Sequence, residues 1–239
     1  MADYGGLLAA SPLLLAAPRG DGHAVLVLPG FLAQDFSTAT LRVFLRGRGY
    51  EEQGWRLGRN VGPTAAILDG MAALLGELAE RSGRPVSIVG WSLGGIFARE
   101  LARSHPTLVR QVITLGSPFR LADSRDSRAH GAFQRFSHLH VIGAPSIRLR
   151  AGLGKPIPVP ATAIYSKFDG IVPWQACLEA SGPRRENVGV YSSHLGLGHN
   201  AAALWVVADR LAQPEGEWRP FRAPPVARLL FPGTAAVAV

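Results

Sequence analysis

Short apolar runs rich in β-branched residues alternate along this 239-residue chain with longer segments of helical periodicity. That alternation constrains the fold more than any other feature. It calls for an α/β architecture, a mostly parallel sheet with helices on both faces. The first clear strand is Ala24–Leu28, ended by Pro29-Gly30. Ser37 is placed to cap a helix carrying Leu41, Val43, Phe44 and Leu45, and a weaker strand follows over 52–55. Pro63 suits the first turn of the next helix. There Ile67, Met71, Leu74, Leu75 and Leu78 recur at helical spacing until Gly83. A strand over 85–89, a helix to about Ser104 and a strand over 108–115 come next. The pattern then breaks between 119 and 160, with one helix expected near 128–136. It resumes with a strand over 161–165, a helix over 174–180, a last strand over 187–191 and a final helix over 200–212. Hydrophobic residues make up 47% of the chain, ample for one packed core. The expectation is a single domain over 1–239, with a cap insertion at 119–160 and an irregular tail from about 214.

The strongest chemical signal is Gly90-Trp91-Ser92-Leu93-Gly94. The pentapeptide G-x-S-x-G is modest alone, but here it follows a buried strand directly and opens an amphipathic helix. A nucleophile elbow works in that setting. The flanking glycines allow a tight turn with backbone passing close by. The turn lifts the Ser92 hydroxyl above the sheet, near a helix N-terminus that favours developing negative charge. A Gly-rich strand–helix turn of the nucleotide-binding kind is the competing reading, but G-x-G-x-x-G is missing. An oxyanion hole needs two backbone N–H groups. One belongs to the residue after the nucleophile, Leu93, and the other to a loop after an earlier strand, where the Phe31 amide is the candidate.

These segments resemble small bacterial esterases and lipases of the α/β-hydrolase superfamily. The resemblance rests on Leu-Pro-Gly-Phe (28–31), Gly-Trp-Ser-Leu-Gly (90–94), Leu-Gly-Ser-Pro (115–118) and Asp-Gly-Ile-Val-Pro (169–173), and spans roughly 24–212. It implies the hydrolase fold with Ser92 as nucleophile and leaves the substrate open. Two departures stand out. So few residues precede the first strand that the leading antiparallel hairpin is expected to be missing. The His-Gly-Gly-Gly motif of some esterases is absent as well, which favours the simpler Pro-Gly-Phe arrangement.

A serine hydroxyl needs an imidazole to take its proton and a carboxylate to orient that imidazole. In this fold the order is Ser, acid, His. Asp169 follows the 161–165 strand at the C-terminal sheet edge and is the candidate acid, although Asp-Gly also suits an ordinary turn. Asp123 and Asp126 come too early, and Asp209 lies inside the last helix. For the base, His194 stands in the loop after the last strand, where the family usually places it. His199 adjoins the start of the final helix and is the alternative. The remaining histidines, His23 among them, precede the acid.

The net charge is +8, almost all from arginine, since Lys155 and Lys167 are the only lysines. Six arginines and Lys155 against Asp123 and Asp126 give the 119–160 segment +5 of it. Such a cap would draw in anionic esters or lipid head groups, or simply face water. Phe133, Phe136, Ile142 and Ile147 are candidates to line an acyl pocket, and Trp91 to narrow the site. The expected substrate is a small-molecule or lipid ester, with no nucleic-acid partner, no cofactor and no metal. Amide hydrolysis, acyl transfer, or a non-catalytic binding role on the same scaffold are the competing functions. The lone cysteine, Cys177, fits a reducing cytoplasmic setting. Leu7–Ala17 is apolar like a signal segment but lacks a basic lead and carries Asp3 before it. It is too short to span a bilayer.

Overall fold

The structure, a computed structural model, describes residues 11–121, 123–141 and 154–232. Six strands form one sheet: β1 (Ala24–Leu28), β2 (Glu51–Gly54), β3 (Val86–Trp91), β4 (Val109–Leu115), β5 (Ala161–Tyr165) and β6 (Arg185–Gly189). Their order is β2-β1-β3-β4-β5-β6, and every neighbouring pair is parallel. No antiparallel hairpin precedes β1 among the described residues.

Alternating strand residues point to opposite faces, so two cores form. On one face Leu26, Leu28, Ile88 and Val112 meet α3 (Ala65–Ser82) and α4 (Leu93–Ser104), through Met71, Leu75, Leu78, Ile96, Phe97 and Leu101. On the other, Val25, Val27, Val89, Ile113 and Ile164 meet α2 (Ala39–Gly47) and α6 (Ala201–Leu211). Strands with both faces covered read as the near-continuous apolar runs seen in the sequence. The lead-in helix α1 (Ser11–Leu15) packs on the second core through Leu14. Arg48 holds it there by donating to the Leu15 and Ala17 carbonyls at 2.9 and 3.1 Å. Of the Leu7–Ala17 stretch, residues 7–10 lie outside the described residues.

Several boundaries differ from expectation for local reasons. Ser37 does not cap α2. It sits in a 3₁₀ turn, Asp35–Thr38, and donates to the Gln34 carbonyl at 2.7 Å. The cap of α3 is Thr64, whose hydroxyl oxygen accepts from the Ile67 amide at 3.2 Å, so Pro63 lies outside the helix. The expected helix over 174–180 shortens to one 3₁₀ turn, Trp174–Cys177. Beyond it, Asn187 takes both backbone groups of Glu179, at 2.7 and 3.0 Å, which precludes helical bonding. The last strand sits two residues earlier than its apolar centre indicated, paired along its length with β5. Between β4 and β5 the described residues form a short helix, α5 (His130–Arg135), flanked by 3₁₀ turns. Ile142 and Ile147 lie outside the described residues. No helix among those described is long and apolar enough to cross a membrane.

The chain enters the sheet at β1, places β2 on one side, then crosses to β3 on the other. The carboxyl ends of β1 and β3 therefore diverge, leaving a crevice where this class of sheet builds sites. The loop after β1 and the elbow after β3 open into it.

Candidate active site

Ser92 has φ 52° and ψ −118°, a conformation that costs a non-glycine residue about 1–3 kcal/mol. The strain is held by packing on both sides. The Ser92 amide donates to the Leu115 carbonyl at 2.8 Å, and its carbonyl accepts from Gly95 at 3.0 Å. A Cβ on Gly94 would collide with the Leu28 and Pro29 carbonyls, so only glycine lets α4 approach β1 this closely. The Ser92 side chain makes no capping bond to its own helix. Its Oγ lies 3.0 Å from His194 Nε2, and His194 Nδ1 lies 2.5 Å from Asp169 Oδ2. Both ring nitrogens of His194 are thus engaged, one by the serine hydroxyl and the other by the carboxylate. Asp169 Oδ1 accepts from the Ile171 and Val172 amides, each at 2.9 Å, which fixes the carboxylate's rotation.

The supports of this array were not readable as such from the sequence. Gly116 has φ 53°, and a Cβ there would come within 3.2 Å of Asp169 Oδ2 and 3.3 Å of His194 Nδ1. Trp91 is buried, and its indole N–H donates to the His194 carbonyl at 3.1 Å. It thus braces the histidine loop from below. The ring of His199 lies edge-on to Trp91, with centroids 5.8 Å apart. Arg99 of α4 pairs with buried Glu179 and donates to the Lys155 carbonyl at 2.8 Å. That pair ties the elbow helix to the segment following Asp169.

The loop carrying Phe31 is clamped by a buried residue absent from the sequence reading. Asn60 donates through Nδ2 to the Pro29 carbonyl at 2.9 Å. Its backbone exchanges bonds with Leu32 and Ala33, at 2.7 and 2.9 Å. Its own Oδ1 accepts from Gly62 at 3.2 Å. Its signal in the sequence was weak, a single polar residue between Arg59 and Val61 with partners about 30 positions away. Among the described residues, neither the Phe31 nor the Leu93 amide donates to a protein acceptor. An apolar cavity adjoins Ser92, with Phe31, Ile96, Leu121, Phe133 and Val172 on its wall. Phe133 is thus on the wall as expected. Phe136 instead packs on Phe31, with ring centroids 6.0 Å apart. Among the described residues no cluster of side chains is arranged to hold a metal ion.

No family model matches the chain, and no curated protein matches it in sequence. Solved structures do. Lipase B of Aspergillus fumigatus is similar at a TM-score of 0.63 and 17% identity, over 80% of this chain and 52% of that one. This chain therefore spans about half the length of that lipase. A metagenome-derived lipolytic enzyme, of a pair named LipS and LipT, is similar at 0.59 and 18% identity, covering 81% and 93% of the two chains. The mature Bacillus licheniformis lipase BlEst2 is similar at 0.59 and 16%, covering 82% and 94%. At such identities the likeness concerns the fold, and with the six parallel strands it establishes that the chain has the α/β-hydrolase fold.

Proposed function

We propose that this chain is a serine hydrolase that cleaves carboxylic esters through an acyl-enzyme. One observation carries the reading: Ser92 Oγ, the His194 imidazole and the Asp169 carboxylate form a continuous hydrogen-bonded line, at 3.0 and 2.5 Å, from a strained elbow beside a cavity. In this reading His194 accepts the Ser92 proton as Oγ attacks the ester carbonyl, and Asp169 stabilises the imidazolium that results. The amides of Leu93 and Phe31 receive the oxyanion, and each such donor is typically worth about 10²–10³ in rate. Asn60 holds the Phe31 amide in place and is a positioning residue. Protonated His194 then gives its proton to the departing alcohol. Water, activated by the same imidazole, releases the acid. The described part of the insertion between β4 and β5, through Leu121 and Phe133, serves as the cap of the acyl site, and the structures of known lipases with this fold are consistent with an ester substrate.

The test is hydrolysis of p-nitrophenyl esters by wild type and Ser92→Ala. Turnover by wild type that the substitution abolishes supports the reading. Equal turnover by both proteins, or none by either, refutes it.

A further inference from the structure

The cavity at Ser92 has a volume of about 80 Å³. Its wall joins four parts of the chain: Phe31 after β1, Ile96 of α4, Leu121 and Phe133 from the segment between β4 and β5, and Val172 after β5. No Lys, Arg, Asp or Glu is on that wall among the described residues, and its one basic side chain is His130. A charged acyl group entering there would lose its hydration without an ion to replace it. An apolar one gains roughly four-fold in binding for each methylene buried.

The wall is braced. The ring of Phe133 packs against Phe31 at 5.3 Å and against His140 at 4.7 Å, and His140 Nε2 bonds the Val61 carbonyl at 2.9 Å. Phe133 is therefore held from two sides and does not give way; the cavity is open to solvent elsewhere, so its volume measures the part of an acyl group it can shelter. An apolar cavity of about 150 Å³ takes benzene, with its six carbons, so the volume here corresponds to roughly three or four.

Resting on Ser92 as the nucleophile, we infer that the preferred substrates are esters of short, uncharged acyl groups, acetyl to butyryl. Phe133 and Leu121 set the upper limit.

The experiment is kcat/KM for p-nitrophenyl acetate, butyrate, octanoate and laurate, each below its critical micelle concentration, with wild type, Phe133→Ala and Leu121→Ala. Wild type is expected to favour acetate or butyrate over octanoate by at least about tenfold, since a misfitting methylene costs that order. At least one variant is expected to raise the octanoate-to-butyrate ratio by about tenfold. Wild type that prefers laurate overturns the size limit while leaving the ester-hydrolase reading intact. Variants with the wild-type profile overturn the assignment of Phe133 and Leu121. Failure to turn over any ester, with no labelling of wild type by a fluorophosphonate, overturns the underlying reading and the inference together.

Discussion

Two Ser–His–Asp arrays hang from the same strand, five residues apart. At the carboxyl end of β3, Ser92 meets His194 at 3.0 Å, and His194 meets Asp169 at 2.5 Å. Near its amino end, Ser87 meets His23 Nε2 at 2.8 Å, and His23 Nδ1 meets Asp21 at 2.5 Å. The line of contacts is the same in both. The surroundings are not. Ser87 lies inside the strand, in register with Val25, and is wholly buried, with no positive φ. The His23 side chain is fully buried against Tyr50, with ring centroids 5.1 Å apart. The Asp21 carboxylate also receives Arg84 at 2.7 Å and Arg110 at 3.0 Å, so it is one corner of an ion-pair network. Ser92 instead stands on a strained turn at a helix N-terminus, beside a cavity and near two amides without protein acceptors among the described residues. Contact distances alone do not distinguish a nucleophile from a structural clasp. Access and pre-aimed donors do.

The largest expected contrast is in activity. Ser92→Ala lowers kcat/KM by at least about 10⁴-fold, whereas Ser87→Ala leaves it within about twofold. Paired steady-state assays on one ester check this. Asp169→Asn comes next, with a drop of about 10⁴ in kcat from mis-set tautomer and orientation. Asp21→Asn leaves kcat near wild type. Asn60→Ala follows, with kcat down about 10- to 100-fold and KM little changed, because the Phe31 amide drifts from where charge develops. A circular-dichroism spectrum matching wild type separates that result from misfolding.

Stability should reverse the ranking. Ser87→Ala leaves His23 Nε2 without its partner in the interior and costs about 1–3 kcal/mol. Ser92→Gly relieves the positive-φ strain and gains up to about 1 kcal/mol. Urea melts monitored by tryptophan fluorescence read both changes.

The smallest effect is on pH dependence. Burial, opposed by the hydrogen bond to Asp21, pushes the His23 pKa below its ordinary value of 6.5. The unfolded chain therefore takes up that proton first. The contribution of neutral His23 is present above pH 6.5 and is lost as pH falls below it. Asp21 adds to the loss at lower pH. Burial works against its carboxylate, but hydrogen bonds from His23, Arg110 and Arg84 outweigh it and hold the pKa well below 3.8. A wild-type Tm that declines from pH 7 to 5, and declines less in His23→Gln, is the expected result.

The array at Ser92 was legible because each member sits in a local pattern. A glycine-flanked serine follows a buried strand, an Asp-Gly follows another, and a histidine follows the last. The array at Ser87 was not. His23 entered the sequence reading only to be set aside by chain order, and Ser87 looked like an ordinary strand residue. Its partner lies 64 positions away, and a pairing of that kind leaves no periodicity. Asn60 was missed for the same reason. Trp91 was readable as a neighbour of Ser92, but its bond to the His194 carbonyl spans 103 positions. The alternation marked the six strands and their places along the chain, while their order in the sheet came only with the structure. The ends of elements depended on particular side-chain contacts, such as Asn187 on Glu179, that pattern does not encode.

The central claim is that Ser92 is the nucleophile and its near-copy Ser87 is not. Labelling with a fluorophosphonate, followed by peptide mapping, tests it most directly. The account predicts modification of the Ser92 peptide in wild type and Ser87→Ala alike, and none in Ser92→Ala. Labelling that survives in Ser92→Ala, or wild type that takes up no label, would contradict it.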